Sequence, residues 1–123
     1  MWRIEFDPEQ QRLSIRLTDH VSASQMRDLA SAHAEALENA GDQPFKVFVD
    51  LRGLFPLESD AVAIMGAMKR IASEVSGCRG FAILADSPTV AMQQRRTRVD
   101  PATHPDRELI TLDPDQAKRF LTE

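Results

Sequence analysis

Five consecutive residues, Val47-Phe48-Val49-Asp50-Leu51, make a run with no clean alternation of apolar and polar side chains. A run this short reads as a strand covered on both faces, and such strands sit inside parallel sheets. Phe81-Ala82-Ile83-Leu84-Ala85 repeats the pattern. Parallel neighbours need long crossovers, usually helical, and the stretches around these runs carry helical periodicity. The first run breaks at Arg52-Gly53, passes through Leu54-Phe55-Pro56-Leu57 and restarts at Glu58-Ser59-Asp60 as the start of a helix. A strand that delivers a loop and then a helix N-terminus is where α/β proteins place a working surface.

The remaining segments fit around that pair. Trp2, Ile4 and Phe6 alternate with Arg3, Glu5 and Asp7, and Leu13, Ile15 and Leu17 alternate with Ser14, Arg16 and Thr18. With Pro8 in the turn between them, they predict an antiparallel hairpin with one face on the core. Met26, Leu29, Ala30, His33, Ala36, Leu37 and Ala40 predict a first helix capped by Ser22 or Ser24 and closed at Gly41. Ala61, Val62, Ile64, Met65, Met68, Ile71, Ala72 and Val75 predict a second helix from Ser59 to about Ser76, with Gly77 as its stop. Lys69, Arg70, Ser73, Glu74 and Ser76 fall mainly on its other face. A third helix runs from about Pro88 to Arg98, with Asp86 or Ser87 at its cap and cations at its end. Residues 100 to 106 read as a proline-rich connection, Glu108 to Leu112 as a last strand, and Asp113-Pro114 as the start of a final helix.

The order is β-β-α-β-α-β-α-β-α in one domain, residues 1–123: a mixed sheet of about five strands with about four helices. With 42% hydrophobic and 28% charged residues it can bury one core without staples. A net charge of -4 argues against nucleic acid as the main partner. Cys78 is the single cysteine, so no internal disulfide is expected, and the thiol reads as inert and partly buried. No apolar run is long enough to span a bilayer, and the N-terminus is unlike a signal peptide, so a cytoplasmic protein without stable membrane insertion is expected.

Catalytic patterns are scarce. The sequence has no glycine-rich phosphate loop, no nucleophile elbow and no cysteine pair. His20, His33 and His104 are dispersed, so no metal site is expected, and His33 reads as a structural histidine near the apolar stripe. A triad from Ser59, His104 and an acid would need convergence in space. The expectation is a chain that is not an enzyme and needs no cofactor. Ser59 reads as an N-cap, and Glu58 and Asp60 suit the positive end of the helix. Leu54-Phe55-Pro56-Leu57 is not explained that way: four apolar residues in a loop either pack over the sheet's end or form a patch for a partner.

Val49-Asp50-Leu51-Arg52-Gly53-Leu54, followed three residues later by Glu58-Ser59-Asp60-Ala61-Val62, resembles the signature of STAS domains. This is the SpoIIAA-like family of bacterial anti-sigma factor antagonists and of the cytoplasmic ends of sulphate transporters. There an Asp-apolar-Ser-x-apolar strand end precedes Asp-Ser-Ser-Gly at the start of the second helix. The order of elements is similar over nearly the whole chain. The family's phosphorylated serine falls on Asp60, and the serine before it on Ser59. Arg52 stands for a serine, Glu58 for an aspartate and Ala61 for the glycine. A carboxylate at residue 60 fixes a negative charge where the family adds a phosphate.

The resemblance implies a non-catalytic regulatory module binding an anti-sigma-type protein through Arg52, Leu54, Phe55, Leu57, Glu58, Ser59 and Asp60. Ser59 would be the residue left for phosphorylation. Apart from the resemblance, self-association through the second helix or the edge strand, making a homodimer, is a further alternative. A lipid-binding branch of the same fold implies instead a carrier of a small apolar ligand, held by Met65, Met68 and Met92.

Overall fold

The computed structural model describes residues 1–97 and 107–123. The elements are β1 (Trp2–Asp7), β2 (Arg12–Leu17), α1 (Ala23–Ala40), β3 (Phe45–Leu51), α2 (Ser59–Ser73), β4 (Cys78–Ala85), α3 (Pro88–Arg96), β5 (Glu108–Thr111) and α4 (Pro114–Thr122). They form one sheet in the order β1-β2-β3-β4-β5, antiparallel between β1 and β2 and parallel thereafter. The expected order of elements and the mixed five-stranded sheet are both present.

Three crossovers step in one direction along the sheet, so right-handed connections put α1, α2 and α3 on one face. The main core lies there. Leu13, Ile15, Val47, Val49, Phe81 and Ile83 from the strands meet Met26, Leu29, Met65, Met68 and Val90 from the helices. Phe6 and Phe45 close one end edge to face, with ring centroids 6.3 Å apart. On the other face α4 forms a smaller core from Ala117, Ala82 and Leu84, backed by Phe48, Phe120 and Leu121. Lys46 fixes the end of α4, its Nζ donating to the carbonyls of Phe120 at 2.6 Å and Glu123 at 3.0 Å. A cation there satisfies terminal carbonyls and answers the helix dipole.

Ser22 is the cap of α1, in a capping box with Gln25, and Gly41 ends the helix at φ 66°. Ser87 caps α3. Several expectations change. β3 is sealed on its helix face but only half covered on the other, where Lys46 and Phe48 remain partly exposed. Helix α2 stops at Ser73, capped by Glu74. Gly77 serves a different purpose: a Cβ there would stand 2.5 Å from the Gln43 carbonyl oxygen, so it permits close chain approach. Cys78 opens β4 and is fully buried, where desolvation pushes its thiol pKa up. Helix α3 ends at Arg96 and β5 at Thr111, leaving Leu112 exposed. The connection over 100 to 106, with His104, lies outside the described residues.

The largest departure is Lys69. The sequence places it on the polar side of α2, yet it is buried at 5% exposure. Its Nζ donates to Glu108 Oε1 at 3.2 Å, to the Gln94 carbonyl at 3.1 Å and to Thr97 Oγ1 at 3.0 Å. The flank of α2 that looks solvated is covered by α3 and β5. Gly66, one turn earlier, lets this packing close, since a Cβ there would come 3.1 Å from Thr97 Cγ2.

Candidate functional site

The C-terminal ends of β2, β3 and β4 deliver three loops to one end of the sheet, the position where open α/β sheets usually bind. The middle loop, residues 52 to 58, is pinned from both sides. The Gly53 N–H donates to both carboxylate oxygens of Asp86, at 3.1 and 3.0 Å. Asp19 donates its N–H to the Gly53 carbonyl and accepts from the Phe55 N–H, each at 2.9 Å. Gln93 clasps Leu57, accepting from its N–H at 2.8 Å and donating to its carbonyl at 2.7 Å. Gly53 at φ 81° and Asp19 at φ 60° supply the backbone reversals this arrangement needs. For Asp19 that left-handed conformation carries strain, offset by its two bonds to the loop.

The loop therefore resolves the question its four apolar residues raise, by splitting them. Leu54 and Leu57 are buried in the main core. Phe55 points out at 60% exposure, with Pro56 exposed beside it. A large apolar side chain on a tightly held loop would lose little conformational freedom on binding.

Behind the loop, Asp50 gathers two arginines. Its Oδ1 accepts from Arg52 N at 3.1 Å and Arg52 Nε at 3.0 Å, and its Oδ2 from Arg52 Nη2 at 2.8 Å and Arg16 Nη1 at 2.5 Å. Burial alone would raise the Asp50 pKa. Hydrogen bonds from Arg52 and the charges of Arg52 and Arg16 outweigh it and hold the carboxyl below its ordinary value. Arg52 is raised in turn, chiefly by its hydrogen bond to Asp50. Arg52 is thus clamped along the strand end while its side chain stays about half exposed.

The start of α2 differs from expectation. Glu58 is the N-cap, without a side-chain cap bond, and Ser59 is the first helical residue. The clasp of Gln93 on Leu57 fixes where the chain turns into the helix, one residue earlier than capping chemistry alone suggests. Asp60 Oδ1 instead accepts from the Ala61 N–H at 2.9 Å. Glu58, Ser59 and Asp60 are all exposed and form an acidic rim with Asp19 and Asp86.

The three methionines do not converge. Met65 and Met68 are buried and line a void of about 20 Å³ together with His33, Val47 and Phe81. That holds at most a water. Met92 lies on the exposed side of α3 at 53% exposure. Burial lowers the His33 pKa to about 4, so the imidazole is neutral. No group of His, Cys, Asp and Glu among the described residues could hold a metal ion.

Asp19, Asp86 and Gln93 position this site and were not read as part of it from sequence. The only signals were local: an aspartate after each neighbouring parallel strand, and a glutamine on the third helix.

No protein-family model and no curated protein matches this sequence. The architecture, however, is shared with proteins of solved structure. Over 100% of this chain and 96% of the other, it superposes with a TM-score of 0.66 at 15% identity on an anti-sigma factor antagonist from Mycobacterium paratuberculosis. The anti-sigma factor antagonist SpoIIAA in its unphosphorylated form gives 0.66 at 15% identity, over 99% and 98% of the chains. A protein of the DUF3478 family from Shewanella loihica PV-4 gives 0.64 at 16% identity, over 98% and 92%. The chain is an α/β domain with the SpoIIAA-like fold.

Proposed function

We propose that this protein is a non-catalytic regulatory module that binds another protein through the end of the sheet bearing Arg52, Phe55 and the start of α2. The observation that carries this reading is Phe55, 60% exposed at the tip of a loop fixed by Asp86, Asp19 and Gln93. An aromatic anchor on a pre-organised support is what a binding hot spot requires. Two fold neighbours are anti-sigma factor antagonists, which makes an anti-sigma-type regulator the partner class. The rim of Asp19, Glu58, Asp60 and Asp86 asks for a partner with an apolar pocket edged by basic groups. Leu54 and Leu57 contribute by supporting the loop from below, not by contact.

Asp60 cannot accept a phosphate through a hydroxyl, so the negative charge there is permanent, and Ser59 is the one hydroxyl in this acidic helix start. Affinity capture from the native cells with the wild type and Phe55→Asp tests the surface, and the regulator should be lost with the variant. Identical partner sets would overturn the reading. Intact-mass measurement of protein from the same cells reports separately on Ser59, with no phosphate expected.

A further inference from the structure

The sheet face opposite α1, α2 and α3 is only half roofed. Helix α4 packs there against Ala82 and Leu84, and among the described residues no helix covers the β1 and β2 part. On that open part Arg3 lies directly opposite Arg16, and Glu5 opposite Ser14. Like charges facing one another across an antiparallel pair are unfavourable. Exchanging Glu5 with Arg3 would remove the clash and still keep a charged edge strand, so solubility and edge protection do not account for the pairing.

Arg16 leans away to Asp50, its neighbour in β3. Arg3 makes no ion pair among the described residues, not even with Glu5 two places along the same face. Between them lies a depression of about 230 Å³ lined by Arg3, Glu5, Ser14, Arg16, Phe48 and Asp50. That is roughly the volume of seven or eight waters. Phe48 is partly exposed there, and the Ser14 hydroxyl has no hydrogen bond among the described residues.

We propose that this depression binds a small organic carboxylate with a flat apolar body, its carboxylate bridging Arg3 and Arg16 and its body lying against Phe48. Two adjacent guanidiniums match a planar carboxylate geometrically, and the anion gives Arg3 the counter-charge that Asp50 already gives Arg16. Arg16 can turn to the ligand at low cost because Asp50 keeps its two-point contact with Arg52. The Ser14 hydroxyl adds a donor, and the carboxylates of Glu5 and Asp50 in the lining disfavour ligands carrying a second negative charge. The site shares Arg16 and Asp50 with the cluster behind the loop, but it uses neither Phe55 nor the start of α2 and needs no protein partner.

The test is a titration of the isotope-labelled full chain with 2-naphthoate, followed by amide and arginine side-chain resonances, with inorganic phosphate and 2-naphthylmethanol as separate arms. Saturable shifts centred on residues 3, 5, 14, 16 and 48 are expected. Arg3→Gln should weaken binding about tenfold or more, the scale of one charge-assisted hydrogen bond. It should leave the spectrum otherwise intact, because Arg3 has no ion pair to lose. Phe48→Leu should weaken 2-naphthoate while leaving phosphate unchanged. No saturable shift, equal affinity in Arg3→Gln, shifts centred on residues 52 to 60, or equally tight binding of the alcohol or of phosphate would each overturn the proposal.

Discussion

The molecule holds two clusters of opposite charge that look alike on paper and behave differently. Asp50 with Arg52 and Arg16 stands at the working end, its arginines nearly half exposed. Lys69 with Glu108 is sealed between α2, α3 and β5, with side-chain exposures of 5% and 1%. In the first cluster water screens both arginines although Asp50 itself is buried, so the contacts orient more than they stabilise. In the second, desolvation of both ions offsets much of their attraction, and the pair is tolerated only while complete. Burial, not residue type, separates a positioning device from a structural one.

The sharpest way to break this contrast is to remove one partner from each cluster. Lys69→Met removes a buried cation from beside Glu108 and should cost about 3–5 kcal/mol in denaturant unfolding. Replacing both, as Lys69→Met with Glu108→Leu, should recover most of that loss. A double variant as unstable as the single one would mean the pair is worth more than apolar packing.

Acid separates the same two regions. His33 lines the same small void as Lys69, and its pKa is lowered to about 4 from an ordinary 6.5. The unfolded chain therefore binds the proton first, and stability falls as pH drops from about 6.5 towards 4, by up to about 3 kcal/mol. Asp50 has the sign usual for a paired carboxylate. Its lowered pKa contributes stability above the unfolded value, which is lost only as pH falls further, through its folded pKa. Unfolding free energies across this range should decline in that order, and His33→Leu should flatten the upper part of the curve. A flat profile above pH 4 in the wild type would contradict the burial of a neutral imidazole.

Smaller effects belong to the working end. Asp86→Ala removes the carboxylate that holds the Gly53 N–H and should cost about 1 kcal/mol in stability. Faster amide exchange should then be confined to residues 52–57. Arg16→Gln should cost less than about 1 kcal/mol, because Arg52 still serves Asp50. Phe55→Asp should change stability by no more than about 0.5 kcal/mol, since its ring contributes little to the core. A Phe55 variant that unfolds would make the residue structural and would undercut its role as an anchor.

Much of this was legible in the chain itself. Apolar runs of strand length alternating with helical periodicity required a parallel sheet, and the period-two pattern of the first seventeen residues required a hairpin beside it. Those signals are local, set by backbone geometry and by which side chains avoid water. They also located the loop from Arg52 to Asp60. Tertiary packing decided the rest. Whether Leu54, Phe55 and Leu57 faced inward depended on Asp86, Gln93 and Asp19, which come from other loops and helices and leave no mark in the local pattern. Lys69 looked solvated because helical periodicity counts one face of α2, whereas α3 and β5 cover a second. The open half of the sheet followed from α4 packing over β3 to β5 alone, since which strands a helix covers is fixed by long-range contacts.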